Sequence, residues 1–258
     1  MHGVLAARVG VGARSGRLDW SVVEVWELDA ATRASMWLLF QRHYELVTRA
    51  TFDADLARKH LVCLLRDTGD ASVCGFSTVE LIHDVDNGKR SIILYSGDTI
   101  VDPDYWGQTS LQLAFLWICT RLTIRHPATP LYWFLICKGY RTYLLLARNV
   151  PAFWPRHGSA DSREAALLNR LAQAKFADSY DAASSVARFS QCPGRLRPNV
   201  APIRPTMLDD PDIRFFVERN PGHALGDELC CIARMDVLTG LRTIAKYASR
   251  TLARGWRS

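Results

Sequence analysis

The stretch Ile92–Leu116, IILYSGDTIVDPDYWGQTSLQLAFL, runs from an apolar segment through a turn with one proline and one glycine into a helical pattern. A strand that stops where a helix begins leaves free backbone N–H groups beside the positive end of the helix dipole. Such a junction attracts anionic groups. The stretch therefore predicts an anion-binding loop between the strand 91–101 and the helix 107–125.

Working outward from this stretch, apolar spacing predicts the neighbouring elements. Upstream lie a strand at 20–28, a helix at 30–47, a short helix at 52–59 and a hairpin formed by 60–65 and 72–81. Downstream follow a fully apolar strand at 131–137 and a helix that begins at 140 and ends before Pro155. Beyond these, we predict a helix at 161–177, an extended loop at 190–211 and an apolar strand at 228–234.

The loop residues Val101, Pro103, Tyr105, Trp106, Gly107 and Gln108 resemble the loop of the GNAT superfamily of acyl-CoA N-acyltransferases, in which V-x-P-x-Y precedes Arg/Gln-x-x-Gly-x-Gly/Ala. In that family the fourth strand and this loop hold the pantetheine and pyrophosphate of coenzyme A. The resemblance covers about 20–155 and implies an α/β (α+β) fold: a mixed, mostly antiparallel sheet flanked by helices, with the strands 91–101 and 131–137 splayed. Thr109 and Leu111 stand where the family has glycines, and a Cβ hinders close approach to phosphate.

The resemblance also implies the donor site. Its residues are Thr99, Ile100, Val101, Trp106, Gly107, Gln108, Thr109, Lys138 and Arg141. The amides near Thr99–Val101 are the expected oxyanion donors. For Lys138 and Arg141, contact with phosphates and a solvated face are both open.

Acyl transfer to an amine needs a base and an acid for the leaving thiolate. We expect Asp98, in an otherwise apolar strand, or Glu228, between a turn and a buried strand, to be the base. Capping or pairing with an arginine is the alternative for Asp98, and ordinary loop polarity is the alternative for Glu228. Tyr140 and Tyr143 follow the fifth strand, where GNAT enzymes often carry an acidic tyrosine. Their helical spacing fits core aromatics equally well.

The function expected from the resemblance is N-acyl transfer, with acyl-CoA or an acidic acyl carrier protein as co-substrate and no tightly bound cofactor. Aromatic bulk and a basic tail favour a fatty acyl donor and an amphiphilic amine, as in N-acyl amino acid synthases. The alternative is a catalytically silent GNAT-like module that binds an acyl carrier, anionic lipid or a protein. The chain has no H-x-x-x-x-D, G-x-S-x-G or H-E-x-x-H motif, which disfavours other acyl-transfer chemistry.

At 258 residues and 48% hydrophobic content the chain is long enough for a large core. We expect a flexible tail at 1–18, an acyltransferase core at 19–160 and a C-terminal elaboration at 161–258. The elaboration would include a closing hairpin at 212–235 and a basic amphipathic helix at 238–257. That helix suits an anionic membrane surface or packs its apolar face on the domain.

The net charge of +6 suits anionic partners, although aromatic and basic residues do not interleave as nucleic-acid binding requires. The seven cysteines form no C-x-x-C pair, which favours buried reduced thiols over a metal site. We therefore expect no metal and a cytoplasmic location, with peripheral association at the inner membrane face through 238–257.

Overall fold

The computed structural model describes residues 7–8, 18–158, 163–190 and 192–235. The predicted tail at 1–18 falls almost wholly outside this range, and the predicted basic helix at 238–257 lies outside it entirely. The described residues belong to two compact units. Unit 1 contains residues 1–40, 52–131 and 235–258, and unit 2 contains 41–51 and 132–234. The domain boundaries expected from the sequence stay a prediction.

Unit 1 is built on four antiparallel strands in the order β1 to β4. These are β1 (Leu18–Glu24), β2 (Leu61–Asp67), β3 (Val73–Asp86) and β4 (Lys89–Val101). Asn87 and Gly88 both have positive φ, as a two-residue hairpin turn requires, and they join β3 to β4. The antiparallel pairing of β2 with β3 confirms the predicted hairpin of 60–65 and 72–81, and β4 confirms the strand at 91–101.

Helices cover both faces of the unit 1 strands. The helices are α1 (Ala30–His43), α2 (Arg49–Ala57) and α3 (Ser110–Arg125). Phe52 of α2 meets Phe76 of β3 edge to face, with ring centroids 6.3 Å apart. Cys63 of β2 points to the other face, beside Cys119 of α3. Burial on both faces explains why residues 61–65 form an unbroken apolar run rather than an alternating one.

Unit 2 contains β5 (Leu131–Cys137), α4 (Tyr140–Ala147), α5 (Arg163–Phe176), α6 (Pro211–Arg219) and β6 (Glu228–Arg234). β6 pairs antiparallel with β5 from Leu229–Cys137 to Arg234–Tyr132. The short segments Phe153–Trp154 and Val186–Ala187 also pair with β6. Residues 18–137 thus reproduce the predicted order of strands and helices, and the mostly antiparallel α/β class is confirmed.

Three element predictions are corrected. The helix from 140 ends at Ala147, because Pro151 disfavours helical backbone before it and Phe153–Trp154 is needed as a strand. The predicted hairpin at 212–235 is instead helix, turn and strand, since β6 pairs with β5 and not with residues 211–219. The loop at 190–211 contains a two-residue strand, Arg195–Leu196, which pairs with Tyr44–Glu45.

The predicted splay of 91–101 and 131–137 concerns strands of different units and stays a prediction. Within unit 1, the Ile92 N–H donates to the Pro130 carbonyl at 2.9 Å, at the start of both segments. Across the described ranges, the structure contains no helix that is both long enough and apolar enough to cross a membrane.

Candidate acyl-transfer site

A β-bulge interrupts β4 in the middle of unit 1. Ser77 lies opposite Thr99 and Val79 lies opposite Ser96, so Thr78 faces both Gly97 and Asp98. Two residues opposite one locally disrupt the hydrogen-bond ladder and turn a backbone amide away from its strand partner. Such a bulge leaves its extra residue outside the regular pairing of the ladder.

The residues around the bulge are held by side chains from β3. The Thr99 hydroxyl lies 2.7 Å from the Ser77 hydroxyl. Asp98 is half-buried at the bulge itself. The Thr78 hydroxyl is buried without a hydrogen-bond partner in the described part of the chain. A buried hydroxyl without a hydrogen-bond partner lowers the stability of the folded state. The environment on this side of the bulge is therefore polar.

The loop from β4 to α3 is fixed by two aromatic side chains. The Tyr105 hydroxyl donates to Asp67 Oδ2 at 2.6 Å, and this bond raises the pKa of the phenol well above its usual value. The Trp106 indole N–H donates to the Val101 carbonyl at 2.8 Å. Both contacts tie the loop to the strands, so the start of α3 is held in place without a ligand.

The helix α3 begins without a side-chain cap. Thr109 is its N-cap residue, and the Thr109 side chain makes no capping hydrogen bond. Gly107 has φ +88° and open space around its α-carbon, as a loop that approaches a ligand requires. Gln108 Oε1 is buried without a described partner. Leu111 is 5% exposed and belongs to the core, and the effect of its Cβ on phosphate binding stays a prediction.

Charge around this loop is negative. The segment 98–110 contains Asp98, Asp102 and Asp104 and no lysine or arginine. Asp102 is used locally, because its Oδ1 accepts the Asp104 N–H at 3.3 Å. An anion at the start of α3 would depend on backbone amides and the helix dipole, without help from cationic side chains of the same segment.

In unit 2, the structure brings together two predicted site residues of different roles. Lys138 Nζ lies 3.0 Å from Glu228 Oε1, with side chains only 13% and 6% exposed. Lys138 also lies over the Tyr44 ring, 5.4 Å from its centroid. Glu228 Oε2 is buried without a hydrogen-bond partner among the described residues. The pairing follows from the register of β6 against β5. Leu229 lies opposite Cys137, so Glu228, which precedes Leu229, lies opposite Lys138, which follows Cys137.

The two tyrosines of α4 differ. Tyr143 is fully buried and packs against Phe153, Phe215 and Phe216, and burial raises the pKa of its hydroxyl far above the usual value. Its hydroxyl donates to the Pro155 carbonyl at 3.4 Å. Tyr143 therefore fits the core-aromatic alternative. Tyr140 begins α4 and is 4% exposed, with the exposed Arg141 guanidinium 5.4 Å from its ring centroid.

Sequence reasoning missed Lys59. Its side chain is 2% exposed, and its Nζ lies 3.1 Å from Asp55 Oδ1 and 3.9 Å from Glu80 Oε2. A Cβ on Gly97 would lie 3.4 Å from this Nζ and 3.1 Å from Thr78 Oγ1. A buried ammonium thus lies against the bulge. The available signal was the pattern F-x-x-D-L-x-x-K at 52–59, in which the i, i+4 spacing pairs Asp55 with Lys59.

No family model and no curated protein matches the chain. Among solved structures, it is similar to a GNAT family N-acetyltransferase of Escherichia coli in complex with CoA (17% identity, TM-score 0.33, covering 49% of this chain and 66% of that one). It is also similar to an acetyltransferase of Trypanosoma brucei (14%, 0.39, covering 57% and 97%) and a GCN5-related N-acetyltransferase of Kribbella flavida (14%, 0.37, covering 63% and 45%).

The element order of residues 18–137 can be compared with the order that the sequence predicts. One strand, two helices, three antiparallel strands with a bulge between the second and third, a helix and a further strand follow one another. This mixed, mostly antiparallel order is the one that the resemblance to GNAT acyltransferases implies.

Proposed function

We propose that this protein is an N-acyltransferase that moves an acyl group, favoured to be fatty, from a CoA or acyl-carrier-protein thioester to an amine by direct attack. The observation that carries the proposal is the continuous segment 97–110. It joins a β-bulge, where the regular ladder is interrupted, to a helix start whose N-cap side chain makes no capping hydrogen bond. The first suits a thioester carbonyl and the second suits the phosphates of the carrier arm.

The donor contacts follow from this placement. In this proposal, main-chain amides near Thr99–Val101 hold the acyl carbonyl, and residues 106–109 hold the pyrophosphate through main-chain N–H groups. Lys138 is engaged with Glu228 inside unit 2. Contact of Arg141 with the carrier's anionic groups stays a prediction.

Asp98 is the base in this proposal. It is half-buried at the bulge, next to the amides that would hold the thioester. Glu228 is less suited to the role, because its Oε1 already pairs with Lys138 Nζ at 3.0 Å inside unit 2. Tyr140 is the candidate acid for the leaving thiolate, since it starts the helix after the fifth strand.

The second candidate function is a catalytically silent GNAT-like module that binds an acyl carrier, anionic lipid or a protein. The observation that favours it is the three aspartates of 98–110, which oppose a pyrophosphate. A silent module would bind without releasing thiol.

The test follows thiol release from acetyl-CoA, palmitoyl-CoA and an acyl carrier protein thioester across a panel of amines. We expect Asp98→Asn to lower turnover about 10²-fold and Glu228→Gln to lower it less, with both variants folded. Equal, small losses would remove the base assignment. No thiol release from any donor, in a protein whose melting temperature CoA thioesters do shift, would favour the silent module.

A further inference from the structure

A cavity of about 450 Å³ lies in unit 1 where β1 ends and β2 begins. Its polar wall is formed by Glu24, Trp26, Arg33, Lys59 and His60, with Leu81 among its apolar residues. The cavity is separate from the loop 101–110 and from the Lys138–Glu228 pair. The proposed donor contacts do not use it.

One corner of the cavity combines an aromatic face with a carboxylate. Trp26 is 72% exposed, which is unusual for so large an apolar side chain. Its indole N–H donates to Glu24 Oε2, so the ring and the carboxylate are held side by side. A π-face next to a carboxylate is the combination that binds organic cations, by cation–π attraction and ion pairing together.

The turn that carries Trp26 is held rigidly. Arg33 donates from Nη2 to the Val25 carbonyl at 2.6 Å and from Nε to the Leu28 carbonyl at 3.2 Å. The Val25 N–H in turn donates to the His60 carbonyl at 3.0 Å. The corner is therefore preorganised, which lowers the entropic cost of binding a ligand there.

Glu24 is the one carboxylate among the described residues that line the cavity. The Lys59 ammonium is paired with Asp55 and Glu80. His60 Nδ1 accepts the Leu81 N–H at 3.1 Å. The Arg33 guanidinium is held by two backbone carbonyls, which fix its position without neutralising its charge, so Glu24 is the group of this wall that attracts a cation.

We infer that this cavity binds an organic ammonium group, with Glu24 and Trp26 as its recognition pair. The identity of the ligand rests on the proposed function: it is the amine acceptor of the acyl transfer. Lys59 connects the two sites, because it lines the cavity and its Nζ lies against Gly97 of the bulge. An alkyl chain on the amine covers the apolar wall at Leu61 and Leu81.

Calorimetric titration with n-hexylammonium, hexyltrimethylammonium and hexanoate tests this site without any acyl donor. Both cations should bind and hexanoate should not. Glu24→Gln and Trp26→Ala should each weaken cation binding about fivefold or more. Asp86→Asn is the matched control, since it removes an exposed carboxylate at the β3–β4 turn, outside the cavity wall. Unchanged cation affinity in both variants, or equal binding of hexanoate, overturns the inference.

Kinetics separate this inference from the proposed function. If thiol release occurs and Glu24→Gln leaves the KM for hexylamine unchanged, the acceptor site is wrong while the transferase stands. If Glu24-dependent cation binding is found but no donor releases thiol, the transferase is wrong while the ammonium site stands. In the supporting case, Glu24→Gln raises the KM for the amine and leaves the KM for the donor unchanged.

Discussion

The buried ammonium of Lys59 gives the sharpest test of how this core is held together. Asp55 contacts two cations: Lys59 Nζ at 3.1 Å with a side chain 2% exposed, and Arg58 Nη2 at 2.7 Å with a side chain 73% exposed. The geometry of the two pairs is similar and only burial separates them. Replacing each partner in turn isolates the contribution of burial.

The expected losses depend on what each substitution leaves behind. Asp55→Ala leaves the buried ammonium with only Glu80 at 3.9 Å, and an uncompensated buried charge costs about 3–5 kcal/mol of unfolding free energy. Glu80 remains, so we expect about 3 kcal/mol. Lys59→Met leaves carboxylates 30% and 21% exposed, which water reaches, and should cost about 2 kcal/mol. Arg58→Met removes an exposed pair and should cost less than about 1 kcal/mol.

Urea denaturation of the three single variants and of Lys59→Met/Asp55→Ala provides the measurement. The double variant should be more stable than Asp55→Ala alone, because it removes the stranded charge together with its partner. At this size each kcal/mol shifts the melting temperature by about 2–4 °C, so thermal melting gives an independent check. The reasoning is refuted if Arg58→Met costs as much as Asp55→Ala, or if Lys59→Met costs more than Asp55→Ala.

Three further outcomes are expected. Gly75→Ala should lower the unfolding free energy by about 1–3 kcal/mol in chemical denaturation, because its Cβ would lie 2.9 Å from the Ile100 carbonyl oxygen; near-normal stability would contradict this. Tyr105→Phe should weaken donor binding in calorimetry, since the bond to Asp67 holds the loop before α3, and unchanged affinity would show that the loop needs no such tie. Ser184 and Arg188 lower the pKa of the Asp181 carboxyl to about 2, so the stability it adds is present above about pH 4 and is lost towards pH 2. Denaturation of Asp181→Asn against the parent protein at several pH values should show their difference closing over that interval.

The strands up to residue 137 were predictable because their signals are local. Strands are indicated by the alternation of apolar and polar residues and by the apolar run of 131–137, and the Asn87–Gly88 turn marks where one strand ends and the next begins. These signals can be recognised without knowledge of the fold. The helix from Tyr140 was predicted too long, because its end depends on Phe153–Trp154 pairing with β6, about 80 residues later. Strand pairing over such distances leaves no periodic trace in the sequence.

The candidate site was predictable in position but less so in chemistry. The loop 101–110 lies between strand and helix as its pattern indicates. The pairing of Lys138 with Glu228 was not foreseen, because it depends on the register of β6 against β5. The burial of Tyr143 identifies it as a core residue. Spacing in the sequence does not distinguish a core tyrosine from a catalytic one. Sequence pattern thus places backbone, while partners and burial require the fold.

The segments F-x-x-D-L-x-x-K at 52–59 and G-F-S-T at 75–78 are in contact in this fold. Phe52 packs on Phe76, and this contact fixes the distance between α2 and β3. At that distance the side chain of Lys59, just after the end of α2, contacts Gly97, which lies opposite Thr78. Since the ammonium is held by two carboxylates and shielded from water, it cannot withdraw without losing both partners. The position of α2 therefore constrains the bulge, and the strand that would hold the thioester is fixed from the side of the cavity that Lys59 also lines.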